Sequence, residues 1–318
     1  MKDTVLKKPI PRFLVALIST SLWGVAFPGI KIGYEIFSID ATETGRQIMF
    51  AGLRFFLAGV LAWFIGSIAY RKILVPKQGS GKYILILAML QTVAQYIFFY
   101  IGLAHTTGVK SSIIEAMSVF IAIIIAAGIF RQEKLTKRKI FGCVLGFAGV
   151  ILINLNGLSQ GFSFTLAGEG AIVLSTIAYA FSSVYIREFS QKEEPFVLSS
   201  FQFMVGGILL FFFGFGMDGV KTKSTTGLFE TLQCAFSVKG CLIIVGLAGV
   251  SAIAYSLWGC LLKYNEVSKV TVFAFLTPIF GVFFSFLLLH EQANSSMLIV
   301  VLSLALVCSG IILQNKSN

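Results

Sequence analysis

Six stretches of this chain contain no Asp, Glu, Lys or Arg over 21 residues or more: Tyr83–Val109, Ile140–Gly168, Pro195–Met217, Gly240–Leu262, Val270–His290 and Gln292–Asn315. Such runs have few ways to fold. In lipid every backbone N–H and C=O must be paired inside the structure, so a spanning segment is a helix or a closed barrel. A barrel strand alternates apolar and polar residues, and none of these runs does. About 20 apolar residues cross the hydrocarbon core. Ten segments qualify, at roughly 13–33, 48–70, 83–104, 111–130, 138–156, 166–186, 196–217, 239–262, 269–289 and 296–314. The sequence predicts an all-α integral membrane protein of ten transmembrane helices.

Composition supports this. Of 318 residues 57% are apolar and 12% charged, where soluble domains carry about 25% charged. Mean hydropathy is +0.89. The net charge of +11 would suggest nucleic acid in a soluble protein. Here no basic, aromatic-studded globular segment exists to bind it, and the cations read as loops beside anionic headgroups. The five Cys form no CxxC pair and read as packing residues. Lys2, Lys7, Lys8 and Arg12 before an apolar run resemble a signal peptide, but without a convincing cleavage site the run reads as the first span.

The joints are short, and the longest, Asp218 to Lys239, leaves no room for a soluble domain. With both termini in the cytoplasm, 18 Lys+Arg fall on that side and six on the other. The excess of positive charge predicts that orientation in the cell membrane. Asn294-Ser295-Ser296 then matches a glycosylation tripeptide in an outer loop.

The chain repeats itself at about 159 residues. Tyr96-Ile-Phe-Phe-Tyr-Ile-Gly-Leu lies over Tyr255-Ser-Leu-Trp-Gly-Cys-Leu-Leu, and Lys110 over Lys269. With small gaps, Arg131-Gln-Glu133 lies near His290-Glu291, and Gly149-Val-Ile-Leu over Gly310-Ile-Ile-Leu. The organisation expected is a tail (1–12), a first repeat (13–156), a linker (157–165), a second repeat (166–314) and a tail (315–318). Each repeat has five spans. Five is odd, so the second starts from the opposite side of the membrane. Inverted repeats mark transporters that alternate access, because exchanging the conformations of the halves exchanges the open side.

These residues resemble a known family. Span one carries Leu22-Trp23-Gly24-Val-Ala-Phe-Pro-Gly-Ile-Lys31, and span two carries Leu53-Arg54-Phe55-Phe56-Leu57-Ala58. A helix in each half ends at Glu133 or Glu291, the second following Leu276-Thr277-Pro278-Ile279. Over about 13–314 the chain resembles the EamA branch of the drug/metabolite transporter superfamily. The resemblance implies a ten-helix inverted-repeat fold and export of small metabolites such as amino acids, or of related toxic compounds. It also implies that helices five and ten meet between the halves, which the small residues Gly142, Gly146, Gly149, Ser303, Ala305, Ser309 and Gly310 would allow. One departure is visible: Ser118-Val119-Phe120 stands where the family often has proline, so helix four is expected to lack the break that Pro278 gives helix nine.

Polar groups inside a membrane need a reason. Gln91 and Gln95 share a face of span three, either as interhelical glue or as cavity groups. Ser175, Tyr179, Ser182 and Ser183 share a face of span six, and Ser251, Tyr255 and Trp258 one of span eight; Trp23 is central in span one. Core packing accounts for any one of them. Together, Trp23, Gln91, Gln95, Tyr179, Ser182, Tyr255 and Trp258 are the expected substrate-binding set, since an amphipathic molecule needs aromatic walls and a few hydrogen bonds. Glu115 either pairs with Arg54, is solvated near the interface, or carries a proton, making the proton a candidate coupling ion. Lys31, Glu35, Lys110 and Lys269 read as snorkelling anchors, and His105 and His290 as interfacial. Pro28, Gly29, Gly33 and Pro278 are candidate hinges. No metal or catalytic constellation is present and no cofactor is expected. The partners expected are a small-molecule substrate and the bilayer, with the chain a monomer or homodimer. Two other readings stand: a sugar-phosphate or nucleotide-sugar transporter of the same fold, or a membrane protein that moves nothing.

Overall fold

The computed structural model describes residues 5–155, 164–289 and 297–315. Ten long helices are formed: α1 (Pro9–Ile36), α2 (Thr44–Tyr70), α3 (Gly81–Leu103), α4 (Lys110–Ile129), α5 (Lys137–Ile153), α6 (Leu166–Phe189), α7 (Pro195–Thr222), α8 (Val238–Tyr264), α9 (Val267–Leu289) and α10 (Met297–Asn315). Nine helices among the described residues are long and apolar enough to cross a membrane. The other, α5, has 17 residues, which is at the lower limit of about 17 for a span. A short helix, Thr226–Ala235, fills part of the joint between α7 and α8. His290, Glu291, the tripeptide at Asn294 and most of the expected linker lie outside the described residues.

Large apolar side chains face outward, Ile68 and Phe212 among them, while Gln91, Gln202, Ser182, Ser183 and Arg54 are buried. Such inside-out burial suits a chain whose solvent is lipid; this is a multi-pass membrane protein.

Two helix pairs hold the halves together, α2 with α7 and α5 with α10. Both use small residues seven apart. On α2 these are Gly45, Gly52 and Gly59; on α7 they are Ser200, Gly207 and Gly214. A side chain at Gly207 would meet the backbone oxygen of Gly52 at 2.8 Å; one at Gly214 would meet the oxygen of Gly45 at 2.6 Å, and one at Gly59 that of Ser200 at 2.5 Å. The α5–α10 pair repeats the device. A side chain at Gly142 would meet the oxygen of Gly310 at 2.8 Å, and one at Gly149 that of Ser303 at 2.7 Å. Small residues let the backbones touch, which is how membrane helices associate without a hydrophobic drive.

The contacts are reciprocal. Gly45 faces Gly214 while Gly59 faces Ser200; Gly142 faces Gly310 while Gly149 faces Ser303. Such self-complementary contacts belong to a two-fold axis. The rest of the packing obeys the same exchange: α1 lies on α8 and α9, as α6 lies on α3 and α4, and α2 on α8 as α7 on α3. The two five-helix repeats are therefore inverted copies related by a pseudo-two-fold axis in the membrane plane.

The expectation for helix four is overturned. It is interrupted without proline: Gly108–Ala116 gives way at Met117 to Ser118–Ile124, and then to a wide π turn at Ile125–Ile129. Met117 N bonds back only three residues, to Ile114 O at 3.0 Å, so a tight turn makes the break. In α9 the break is a 3-10 segment, Val272–Phe275, and Pro278 sits in the first turn after it, where its missing N–H costs nothing.

The seam gives a stability test. Gly207→Ala places a carbon against two backbones and is expected to lower stability by about 1–3 kcal/mol, the usual range for overpacking. Gly216→Ala, with nothing within 4 Å, should cost almost nothing. Thermal unfolding of the purified variants in detergent measures both.

Candidate functional site

Where α1, α2, α3, α7 and α8 meet, aromatic side chains fill the middle of the bundle. Trp23 stands 5.1 Å from Tyr255 and 4.8 Å from Trp258, between ring centroids. Phe55 lies 4.4 Å from Tyr96 and stacks on Phe203 at 5.1 Å. Phe203 meets Tyr255 edge-on at 5.0 Å. The hydroxyls of Tyr96 and Tyr255 share a hydrogen bond of 2.9 Å, across 159 residues of chain. These are equivalent residues of the two repeats, so the pseudo-two-fold axis passes through their bond.

Each expected site residue has a definite place. Trp23, Tyr255 and Trp258 form one wall. Tyr179 packs at the edge of the same cluster. Ser182 is fully buried but spends its hydroxyl proton on its own helix, donating to Tyr179 O at 2.7 Å. Gln91 lies in a π turn, Ala88–Ala94, and accepts from Gln202 Nε2 of α7 at 3.0 Å. Thr92 donates to Gln202 Oε1 at 2.8 Å, so this part of α3 is bound to α7. Gln95 is buried, and its Oε1 has no hydrogen-bond partner among the described residues; the indole N–H groups of Trp23 and Trp258 are in the same condition.

Glu115 and Arg54 do not form an ion pair; among the described residues neither has a hydrogen bond or salt bridge. Glu115 is half-buried on α4 and lies within electrostatic range of the Tyr179 and Tyr255 hydroxyls. Arg54 is 2% exposed, with its guanidinium carbon 4.4 Å from the Phe55 ring centre and 5.9 Å from that of Tyr96.

Polar latches lie at the two ends of the bundle. At the end carrying the described termini, here the tail face, Glu133 accepts from Ser268 Oγ at 2.8 Å and meets Lys139 at 3.3 Å. Lys139 also meets Glu266 at 3.1 Å. Arg12 donates to Asn265 Oδ1 at 3.0 Å, and Asn265 donates to Leu6 O at 3.1 Å. Below α2 and α6, Glu193 accepts from Lys77 N and Ser80 Oγ, both at 2.8 Å. At the far face Glu169 accepts from Thr106 Oγ1 at 2.6 Å and pairs with Lys110 at 3.3 Å. Lys110 and Lys269 are thus ion-pair partners, Lys269 with Glu266 at 3.6 Å, and not simple anchors.

The ends differ in how tightly they close. At the tail face, Val267–Thr271 of α9 packs on Ser118–Ile124 of α4 and on α6, and Phe13 faces Phe273 at 6.0 Å. Its far-face counterpart by the two-fold, Gly108–Ala116 of α4 against Leu276–Leu289 of α9, is not made to the same extent among the described residues. Sequence reasoning missed this asymmetry, which depends on helix tilt. It also missed the Gln202 bond and the glycine seam on α2, although the seam's seven-residue spacing was visible.

An inverted ten-helix repeat is an architecture found among transporters. The sequence profile of the EamA-like transporter family matches residues 11–155 and 166–315, and the chain belongs to that family. Among its relatives are the Bacillus subtilis proteins named uncharacterized transporter YoaV and YvbV. The first is 23% identical, over 95% of this chain and 96% of its own length. The second is 25% identical, over 94% and 93%. An uncharacterized transporter of Archaeoglobus fulgidus is 27% identical over 88% and 90%. A solved crystal structure superposes with a TM-score of 0.69 at 15% identity, covering 95% of each chain, which supports the fold.

Two tests follow from the latches and the tyrosine pair. Burial pushes the Glu193 carboxyl up, but the donors at Lys77, Glu194 and Ser80 and the Lys77 ammonium outweigh it and leave it below the usual range. For Glu266 burial is likewise outweighed, chiefly by the Lys139 hydrogen bond and charge. Their contribution to stability is present above the unfolded carboxylate value of about 4.3 and is lost as pH falls through the lower folded values. Unfolding temperature should therefore drop in acid, and Glu193→Gln should flatten part of that drop. Separately, Tyr96→Phe leaves the Tyr255 hydroxyl buried without its partner, at an expected cost of about 1–3 kcal/mol. The double change to Phe at 96 and 255 should cost less than the sum of the single changes in a thermal-unfolding cycle.

Proposed function

We propose that this protein is a secondary active transporter that exports small metabolites, amino acids or related amphipathic compounds, by alternating access. The observation that carries the reading is the Tyr96–Tyr255 bond: equivalent residues of two inverted halves meet inside an aromatic cluster at mid-depth. A site on the axis stays in place while the halves exchange conformations around it. The tail face is read as cytoplasmic, from the excess of Lys and Arg on that side. The tighter packing of α9 on α4 and α6 there then makes this a state closed to the cytoplasm.

The substrate-binding surface proposed is Trp23, Gln95, Tyr179, Tyr255 and Trp258, with Gln91 tying α3 to α7 behind it and the Ser182 hydroxyl turned to its own helix. Glu115 is the proposed proton carrier. It is within electrostatic range of the Tyr179 hydroxyl of α6 and the Tyr255 hydroxyl of α8, and a carboxyl that exchanges its proton with each side in turn couples a pH gradient to export. A sugar phosphate is disfavoured: a dianion needs several cations, and Arg54 shares the Tyr255 hydroxyl with an acidic group.

Purified protein in liposomes tests this with labelled amino acids and nucleotide sugars, with and without an imposed pH gradient. Amino-acid flux that rises with the gradient is expected. Glu115→Gln should remove the dependence on the gradient, and Gln95→Ala should lower flux. No flux of any compound through folded protein contradicts the transport reading; flux of nucleotide sugars alone contradicts the substrate.

A further inference from the structure

A cavity of about 840 Å³ lies at the tail face, where α4 ends, and none of its lining residues belongs to the aromatic centre. The backbone around it is irregular. The π turn Ile125–Ile129 widens the last turn of α4. Gln132 N then reaches back six residues, to Ala126 O at 2.8 Å, and Arg131 takes a left-handed conformation with φ of 51°. Wide turns of this kind are frequent at functional sites.

Two kinds of surface meet in this cavity. Ile124 on the span and Leu135 just after it line one part. Both are exposed apolar side chains, at 58% and 51%, as suits contact with acyl chains. Arg131 and Lys134 line another part. Both are exposed, and neither has a hydrogen bond or ion pair among the described residues. Glu133 does not neutralise them. Its side chain is buried, and its Oε2 already meets Lys139 at 3.3 Å and Ser268 Oγ at 2.8 Å. Gln132 also lines the cavity, and its buried Oε1 has no hydrogen-bond partner among the described residues. The carbonyl end of α4 carries about half a negative charge, which two whole cations outweigh.

We propose that this cavity binds an anionic phospholipid of the tail-face leaflet. The phosphate lies by Arg131 and Lys134, a headgroup hydroxyl by Gln132, and an acyl chain along Ile124 and Leu135. Basic pockets at the cytoplasmic side of membrane helices take acidic headgroups in this way. A choline headgroup brings a cation that Arg131 and Lys134 repel, and it has no hydroxyl for Gln132. A soluble phosphate ester has the anion but nothing for the apolar lining. The occupant rests beside Glu133, which ties α4 to α9 at Ser268. The inference stands on the membrane fold and not on the transport reading.

Native mass spectrometry of the purified full-length protein in detergent tests this, with dioleoyl phosphatidylglycerol and dioleoyl phosphatidylcholine titrated in turn. The first molecule of phosphatidylglycerol should bind about 10- to 30-fold more tightly than that of phosphatidylcholine, the effect of two cations near the membrane surface. Arg131→Gln combined with Lys134→Gln should abolish the preference. Lys72→Gln combined with Lys82→Gln removes two cations from the same face, away from the cavity, and should leave it intact. Glycerol phosphate should not displace the bound lipid. The comparison of the two lipids on the wild type does not depend on any variant folding. Equal affinity for them, or a preference that survives loss of Arg131 and Lys134, overturns the assignment. So does an equal loss in the Lys72 and Lys82 variant, which would mean surface charge at large, or displacement by glycerol phosphate, which would mean a soluble anion. Absence of flux in liposomes overturns the transport reading and leaves this one standing.

Discussion

Backbone-to-backbone contact at the α2–α7 seam is the interaction on which the rest of this structure depends. In lipid, apolar side chains gain little by meeting one another, so helices associate where small residues bring their backbones close. Gly45, Gly52 and Gly59 do this against Ser200, Gly207 and Gly214, and Gly142 and Gly149 do it against Ser303 and Gly310. Because each seam is its own mirror under exchange of the halves, it fixes the pseudo-two-fold axis. The remaining helices, α1, α3 and α4 with α6, α8 and α9, are then arranged around that axis and build the aromatic site.

On the proposed transport reading, the axis also separates what would move from what would stay. The Tyr96–Tyr255 bond and the two seams map onto themselves, so they are the natural fixed points of a rocking motion. The broken helices α4 and α9 do not lie on it. Each changes hydrogen-bond pattern in mid-span, at Met117 with the π turn Ile125–Ile129, and at Val272–Phe275. Irregular backbone at membrane depth is tolerated where it is enclosed by protein. Here it occurs in α4 and α9, whose packing differs between the faces, and also in the π turns of α3 at Ala88–Ala94 and α6 at Leu166–Gly170. The polar latches at Glu133–Ser268 and Glu169–Thr106 tie the ends of these elements to their neighbours, one on each face.

Much of this was legible in the sequence. The uncharged runs announced the helices, and the overlay of Tyr96 on Tyr255 announced the inverted repeat. The small residues of α5 and α10 announced their contact. The site was legible only as a set of residue types. Nothing in the pattern told that Gln91 would be tied to Gln202, or that Ser182 would donate to its own helix, since both depend on which neighbour a helix face meets. Nor could the sequence show that Arg54 and Glu115 lie near the same hydroxyl without pairing; a few ångströms of helix offset decide that. The missing proline in α4 was a misleading signal, because a tight turn at Met117 does the same work with ordinary residues.

The central claim is that the halves exchange conformations about the Tyr96–Tyr255 bond. Paired spin labels measure this most directly in lipid. One pair would join Ala104, at the α3–α4 elbow, to Glu35 at the far end of α1. The other would join Lys134, after α4, to Lys7 at the tail face. With substrate and a pH gradient varied, the account predicts reciprocal changes: as the far pair shortens the tail pair lengthens. Distances that stay fixed at both faces while substrate is transported, or that lengthen and shorten together, would contradict it.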